Sequence, residues 1–311
     1  MRSTASARRR IFRGAGAFLL LAPFVAAHVH AGAFADVDVQ AGTDDNVSRS
    51  ENRDDIEDDR FAQASVRVGE ALQIGSGTSL ALSGSVRAIE FRRFRNLGEV
   101  AGGAAVSLRH KFGLGPEAPW LSLLADGEFI DSDSFIRDGE RYGVGVRAGR
   151  RIGDRWSIAA TVRHEWREAD EDDQRLPPNR PTFPGVVAST RGDVFEFDAT
   201  ELALTADYQF DNAWLLLMSY SLRDGDVVST ARPNATIVGA AKAITSDAAV
   251  YGPGRSAYRI GALTHTALLG LNYPLAETVS VELDYEYQRS DAVAGIAYDK
   301  NLLRLRLLWA Y

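Results

Sequence analysis

Residues 301–311 read NLLRLRLLWAY. Side chains alternate across a β-strand with period two, so Leu303, Leu305, Leu307, Trp309 and Tyr311 share one face while Arg304 and Arg306 share the other. The first face is apolar and finishes on two aromatics. A soluble sandwich strand is usually followed by more chain, whereas a final strand of this kind suits a wall between lipid and a polar interior.

Working outward, the residues after position 31 contain no apolar run long enough for a transmembrane helix, and mean hydropathy is slightly negative. Only helices and closed sheets satisfy every backbone polar group in lipid, so a membrane protein of this composition is a barrel. The alternation predicts twelve strands, near 34–43, 62–74, 78–91, 99–113, 119–131, 140–152, 156–168, 197–210, 214–226, 257–273, 278–290 and 301–311. Short connections (Gly75-Ser76-Gly77, Leu114 to Ala118, Gly153-Asp154-Arg155, Asp211-Asn212-Ala213, Pro274 to Thr278) alternate with longer ones near 44–61, 92–98, 132–139, 169–196, 227–256 and 291–300. Short turns on one side and longer loops on the other are the rule for transmembrane barrels. The expected fold is therefore all-β, a transmembrane antiparallel up-and-down β-barrel of about twelve strands spanning residues 32–311. An exported soluble β-sandwich also alternates and is the competing architecture.

Parity then assigns faces. In 156–168, Trp156, Ile158, Ala160, Val162, His164 and Trp166 lie on the lipid side. Glu70 falls on the lipid side and Ile89 and Phe91 on the lumen side, against the general pattern. The inward charges are the candidate pore-lining residues. On the first strands they are Asp36, Asp38, Arg67 and Arg109, with Gln40 and Lys111 beside them. The middle strands supply Asp126, Glu128, Arg147, Arg163, Glu201, Asp207 and Arg223. Glu282, Asp284, Glu286, Arg304 and Arg306 complete the set. If the first and last strands join, Arg304 and Arg306 lie between two acidic strands, an acid, base, acid ladder across the seam. Such pairs fill a narrow interior, and opposed charged walls also polarise a water-filled constriction.

The first 31 residues carry Arg2, Arg8, Arg9, Arg10 and Arg13, an apolar run from Ala17 to Ala27, and small residues suited to cleavage after Ala31 or Ala33, the pattern of a secretory signal peptide. Its removal takes five arginines and no acid, moving the formal charge from -7 to -12. So acidic a chain argues against nucleic-acid binding. Cysteine is absent, so the sheet itself supplies stability.

Little points to catalysis. Beyond residue 31 the histidines are His110, His164 and His265, all on the lipid side by parity, where a general base has no water. His164, followed by Glu165 and Trp166, is the sole rim candidate. There is no nucleophile-elbow or metal-ligand spacing, and no catalytic, cofactor or metal residues are assigned. The acidic runs Asp54, Asp55, Glu57, Asp58, Asp59 and Glu168, Asp170, Glu171, Asp172, Asp173 match no defined calcium loop and read as solvated loop surface. Arg191-Gly192-Asp193 carries little weight as an adhesion signal. The 227–256 loop is rich in Ala, Thr and Val, and its residues leave plug and lid equally open.

The terminal strand Asn301 to Tyr311 resembles the closing strand of bacterial outer-membrane β-barrel proteins of the porin and channel type. That resemblance implies a Gram-negative outer-membrane location, contact with membrane lipid and lipopolysaccharide, and recognition of the last strand by the barrel-assembly machinery. Val37 to Ser50 and Ala297 to Tyr311 also resemble the opening and closing strands in the barrel part of surface-lipoprotein assembly modifiers. Those proteins carry a helical-repeat domain before the barrel, which this chain has no room for, and no functional residue carries over. The expected function is a passive channel for small hydrophilic, charged solutes. An envelope-assembly or export partner, a plugged structural barrel and a barrel hydrolase are the alternatives.

Overall fold

The computed structural model describes residues 32–170 and 194–311. The leader at 1–31, the acidic residues Glu171, Asp172 and Asp173, and the Arg191-Gly192-Asp193 tripeptide lie outside the described residues.

Twelve strands form a closed ring: β1 (Ala33–Asp44), β2 (Asp59–Gly75), β3 (Thr78–Phe91), β4 (Glu99–Lys111), β5 (Trp120–Ser132), β6 (Gly139–Ile152), β7 (Trp156–Ala169), β8 (Phe197–Gln209), β9 (Leu215–Ala231), then, after the short β10 (Ala243–Ser246), β11 (Ser256–Ala276), β12 (Val279–Ala292) and β13 (Ala297–Ala310). Every neighbour pair in the ring is antiparallel, and β1 closes on β13 with Asp36 opposite Ala310 and Asp44 opposite Leu302. Closure leaves no strand edge to be satisfied in lipid, which only a complete ring or a helix achieves. Among the described residues no helix is long and apolar enough to cross a membrane, which says nothing about crossing by strands.

Turn chemistry sets the register at one end of the ring. Between β2 and β3, Gly77 takes φ 75°, and between β6 and β7, Gly153 takes φ 58°, a region that residues with a Cβ rarely occupy. Tight turns of this sort join β2–β3, β6–β7, β8–β9 and β11–β12, and the start of β1 and the end of β13 lie at that same end. The longer connections gather at the other end.

Side-chain exposure separates the two faces. Leu303, Leu305 and Leu307 are 44–55% exposed on the outer surface, whereas the intervening Arg304 keeps only 18% of its side chain exposed. Outward aromatics pair near strand ends, as interfacial girdles do. Trp309 stacks with Tyr311, Trp156 tilts against Tyr208, and Trp214 packs on Tyr273 toward the short-turn end. Tyr142 and Trp166 stack toward the other end.

Two features depart from the sequence expectation. β9 and β11 run on to Ala231 and begin at Ser256, pairing with each other beyond the rest of the wall. β10, expected as loop, adds to residues 256–259 of β11, above the point where β12 begins to pair at Ala262. Glu70 does sit outward, near the short-turn rim opposite Ala33, and Ile89 and Phe91 sit inward; Phe91 packs its ring 5.9 Å from that of Phe61.

A charged lumen beneath a loop lid, the candidate functional site

The inward face carries two arcs of ion pairs. In the first, across β12, β13 and β1, Arg304 donates through Nε to Asp284 at 2.6 Å and through Nη2 to Glu286 at 2.7 Å. Arg306 donates to Glu282 at 2.9 Å and to Asp38 at 2.6 Å, so it bridges the strands on both sides. Lys300 pairs with Asp44 further out, at 2.5 Å. Asp284 is fully buried, which makes its arginine partner a structural requirement: a buried carboxylate without a counter-charge is costly.

The second arc crosses β3 to β7. Arg87 reaches Glu99 at 2.7 Å, Arg141 reaches Glu128 at 2.9 Å, and Arg163 lies between Asp126 at 2.8 Å and Glu165 at 2.6 Å. Gly143 makes room for this: a Cβ there would lie 2.0 Å from an Arg163 guanidinium nitrogen. Arg87, Glu99, Arg141, Glu165, Lys300 and Asp44 were not among the sequence candidates, although parity alone places them inward.

Among the described residues the remaining candidates are not joined into ion pairs. Asp36 and Arg67 are opposite in register without an ion pair, as are Glu201 and Arg223. Arg223 instead donates to the Asp226 carbonyl at 2.9 Å and lies over the Phe197 ring. Arg109 sits 4.2 Å from the centre of the Trp120 ring and Arg147 5.8 Å from it, and Asp207 makes no ion pair among the described residues. The sequence reading missed Trp120, which opens β5 with even parity, the same as Asp126 and Glu128, and so points into the lumen.

The long-loop end is covered. The segment after β9 forms α1 (Ala235–Ala240), β10 and a one-turn helix α2 (Ala248–Tyr251). In the twelve-membered ring, β9 and β11 stand opposite β3 and β4. Yet the Tyr251 ring packs 4.8 Å from that of Phe94, and Asn96 donates to the Ala249 carbonyl at 2.6 Å, both within the β3–β4 connection. The long loop therefore spans the whole mouth. The β1–β2 connection crosses it: Ser48 accepts from the Thr230 N–H of β9 at 2.8 Å, and Val47 accepts from the Tyr251 hydroxyl at 3.0 Å.

Buried charges lock these loops together. Asp247 is wholly buried, held by Arg137 at 2.7 Å and by the Thr230 hydroxyl at 2.8 Å. Asp55, 1% exposed, pairs with Arg255 at 2.7 Å, and Arg255 also reaches Glu57 at 3.0 Å. Asp59 accepts from the backbone N–H groups of Arg93 and Phe94. The acidic run 54–59, expected as solvated surface, thus supplies the keystones of the lid, and the loop left undecided between plug and lid lies across the mouth.

The histidines stay on the outer face. His164 has its Nδ1 3.1 Å from the Thr200 hydroxyl and its Nε2 3.6 Å from Asp198, beside Trp166, and His265 meets the Tyr220 hydroxyl at 2.7 Å.

Comparison with known proteins identifies the chain. Residues 122–298, more than half of it, match the family model for MtrB/PioB outer membrane β-barrel porins. The chain belongs to that family. As a family member it is an outer-membrane protein, and the barrel and its interior are those of a porin-like wall. Among solved structures it resembles an outer membrane channel from Pseudomonas putida F1, with a TM-score of 0.56 at 12% identity over 94% of this chain and 100% of the other. The NanC porin (TM-score 0.43, 12% identity, 88% and 98% covered) and the KdgM porin in complex with disordered oligogalacturonate (0.40, 11%, 89% and 99%) are more distant. At these identities the likeness is one of fold alone. No curated protein matches.

Proposed function

We propose that this porin-family barrel is a passive channel for small hydrophilic, charged solutes, narrowed at its external end by the loop lid. The observation that carries the reading is the division of the lumen. The ion-paired arcs cross the middle of the interior and reach into its short-turn half at Arg306, Glu282 and Asp38, and the long-loop end is capped by loops. Toward the short-turn end many inward positions of β3, β4, β7 and β8 are small or hydroxyl-bearing (Ser79, Ala81, Ser83, Ala105, Ser107, Ala159, Thr161, Ala203 and Thr205), with Arg109, Lys111 and Asp207 standing among them. Side chains that small leave space for water along the wall, while the charges beside them sort what passes. The short-turn end is read as periplasmic, with outer-membrane lipid and lipopolysaccharide around the wall and the β13 strand as the feature met by the assembly machinery.

The lid favours one second reading, a barrel held closed until the loops part. Liposome swelling separates the two. Purified barrel in liposomes should admit small charged solutes such as glycine or arginine, more slowly as solute size rises. Impermeable liposomes containing folded barrel, made permeable by replacing residues 235–251 with a Gly/Ser linker, would establish the closed reading.

A further inference from the structure

Inward cations fall into two groups. Arg87, Arg141, Arg163, Lys300, Arg304 and Arg306 each hold a carboxylate. Arg67, Arg109, Lys111, Arg147 and Arg223 hold none among the described residues, and of these Arg109 and Arg147 are exposed to the lumen and converge on one side chain. Both stand in register with Ser122, one strand away on either side, so their Cα atoms are about 10 Å apart by the spacing of neighbouring strands. Each turns toward the same partner, the indole of Trp120. Arg147 Nη2 also lies 3.5 Å from the Thr205 hydroxyl.

We propose that Arg109, Trp120 and Arg147 form a binding subsite for small organic carboxylates just inside the short-turn mouth. The guanidinium fork matches a carboxylate bidentately, and two forks drawn to one indole converge on an anion held beside it. Trp120 decides the ligand class. An inorganic anion gains nothing from an aromatic platform, whereas the apolar body of an organic acid packs on it. The indole lies over Gly149, where a Cβ would stand 2.6 Å from its Cζ2, and it stays partly exposed, so an organic body can meet the part left open. Lys111, inward at the end of β4, adds a positive charge at the rim, and Asp207, inward on β8, lies within electrostatic reach of Arg147 without an ion pair to it.

The subsite rests on the channel reading for its physiological use, but its test needs no conduction. Benzoate binding to the folded barrel in detergent is measured by saturation-transfer NMR, with inorganic phosphate as competitor, and heat-modifiable migration confirms folding of each variant. Benzoate should bind, the double variant Arg109→Gln/Arg147→Gln should weaken it at least tenfold, and Trp120→Leu should weaken benzoate while leaving phosphate competition unchanged. Absence of benzoate binding to the wild type, equal binding by the double variant, or phosphate outcompeting benzoate irrespective of Trp120 would each overturn the assignment. A barrel that binds benzoate yet passes no solute would instead count against the channel alone.

Discussion

Arg137 and Asp247 lie 110 residues apart and meet at 2.7 Å, joining the turn after β5 to the loop that crosses the mouth. Asp247 has no exposed surface, and its other contact is the Thr230 hydroxyl of β9. One carboxylate thereby ties the β5–β6 connection, the mouth loop and strand β9 together.

Removing that anchor should loosen the lid without unfolding the wall. Arg137→Gln leaves Asp247 buried without its counter-charge, a change of about 3–5 kcal/mol when an ion pair loses one partner. We expect faster proteolytic cleavage within 232–255 and larger or more frequent current steps, with unaltered heat-modifiable migration. Unchanged cleavage would show that the other loop contacts suffice.

Leu305 tests the outer face. It is 55% exposed between the inward Arg304 and Arg306. Arginine there should cost about 2–4 kcal/mol of folding free energy if the position faces mid-bilayer lipid. Equal urea midpoints for Leu305→Arg and the wild type would contradict the facing assignment.

The seam ladder tests the inner face. Replacing Arg304 and Arg306 by Ser should shift a conducting pore toward cation preference, because Asp38, Glu282, Asp284 and Glu286 lose their counter-charges. Since Asp284 is buried, the double variant should also unfold at lower temperature. An unchanged reversal potential in a salt gradient, with folding intact, would remove these residues from the conduction path.

Asp138 gives the lid a pH dependence. It accepts the Ser132 N–H at 2.8 Å in the turn before β6, where burial above all, together with Asp131 and Asp170, raises it from an ordinary 3.8 to about 6 against the lowering effects of Ser132 and Arg167. The folded protein therefore binds this proton more tightly than the unfolded chain does. Its contribution to stability is present at acid pH and is lost as pH rises from about 4 to about 6. Asp138→Asn keeps an acceptor and removes the titration, so the difference in melting temperature between wild type and variant should change across that interval. A constant difference would mean that Asp138 does not titrate there.

Much of the wall was legible because lipid imposes alternation and tight turns impose glycine. β3 runs Thr78–Phe91 as the pattern indicated, and Arg304 and Arg306 meet Glu282, Asp284 and Glu286 because antiparallel register follows from the turn between them. The lid was not legible, for a physical reason. Residues 227–256 stand outside the membrane, so no lipid forces a two-residue period on them, and their Ala, Thr and Val content is equally compatible with coil. Asp55 and Arg255 lie 200 residues apart, and nothing local announces their pairing. Trp120 shares the parity of Asp126 and Glu128 and was readable as inward; it was missed because the candidates were drawn from charged residues alone.

The central claim is that water and small ions cross this barrel between its ion-paired arcs. Single-channel recording of the refolded barrel in a planar bilayer tests it most directly. We expect small, discrete conductance steps that grow when the Arg137–Asp247 contact is removed. Electrical silence from a correctly folded barrel, persisting after the lid is loosened or excised, would contradict the account and leave a closed structural wall.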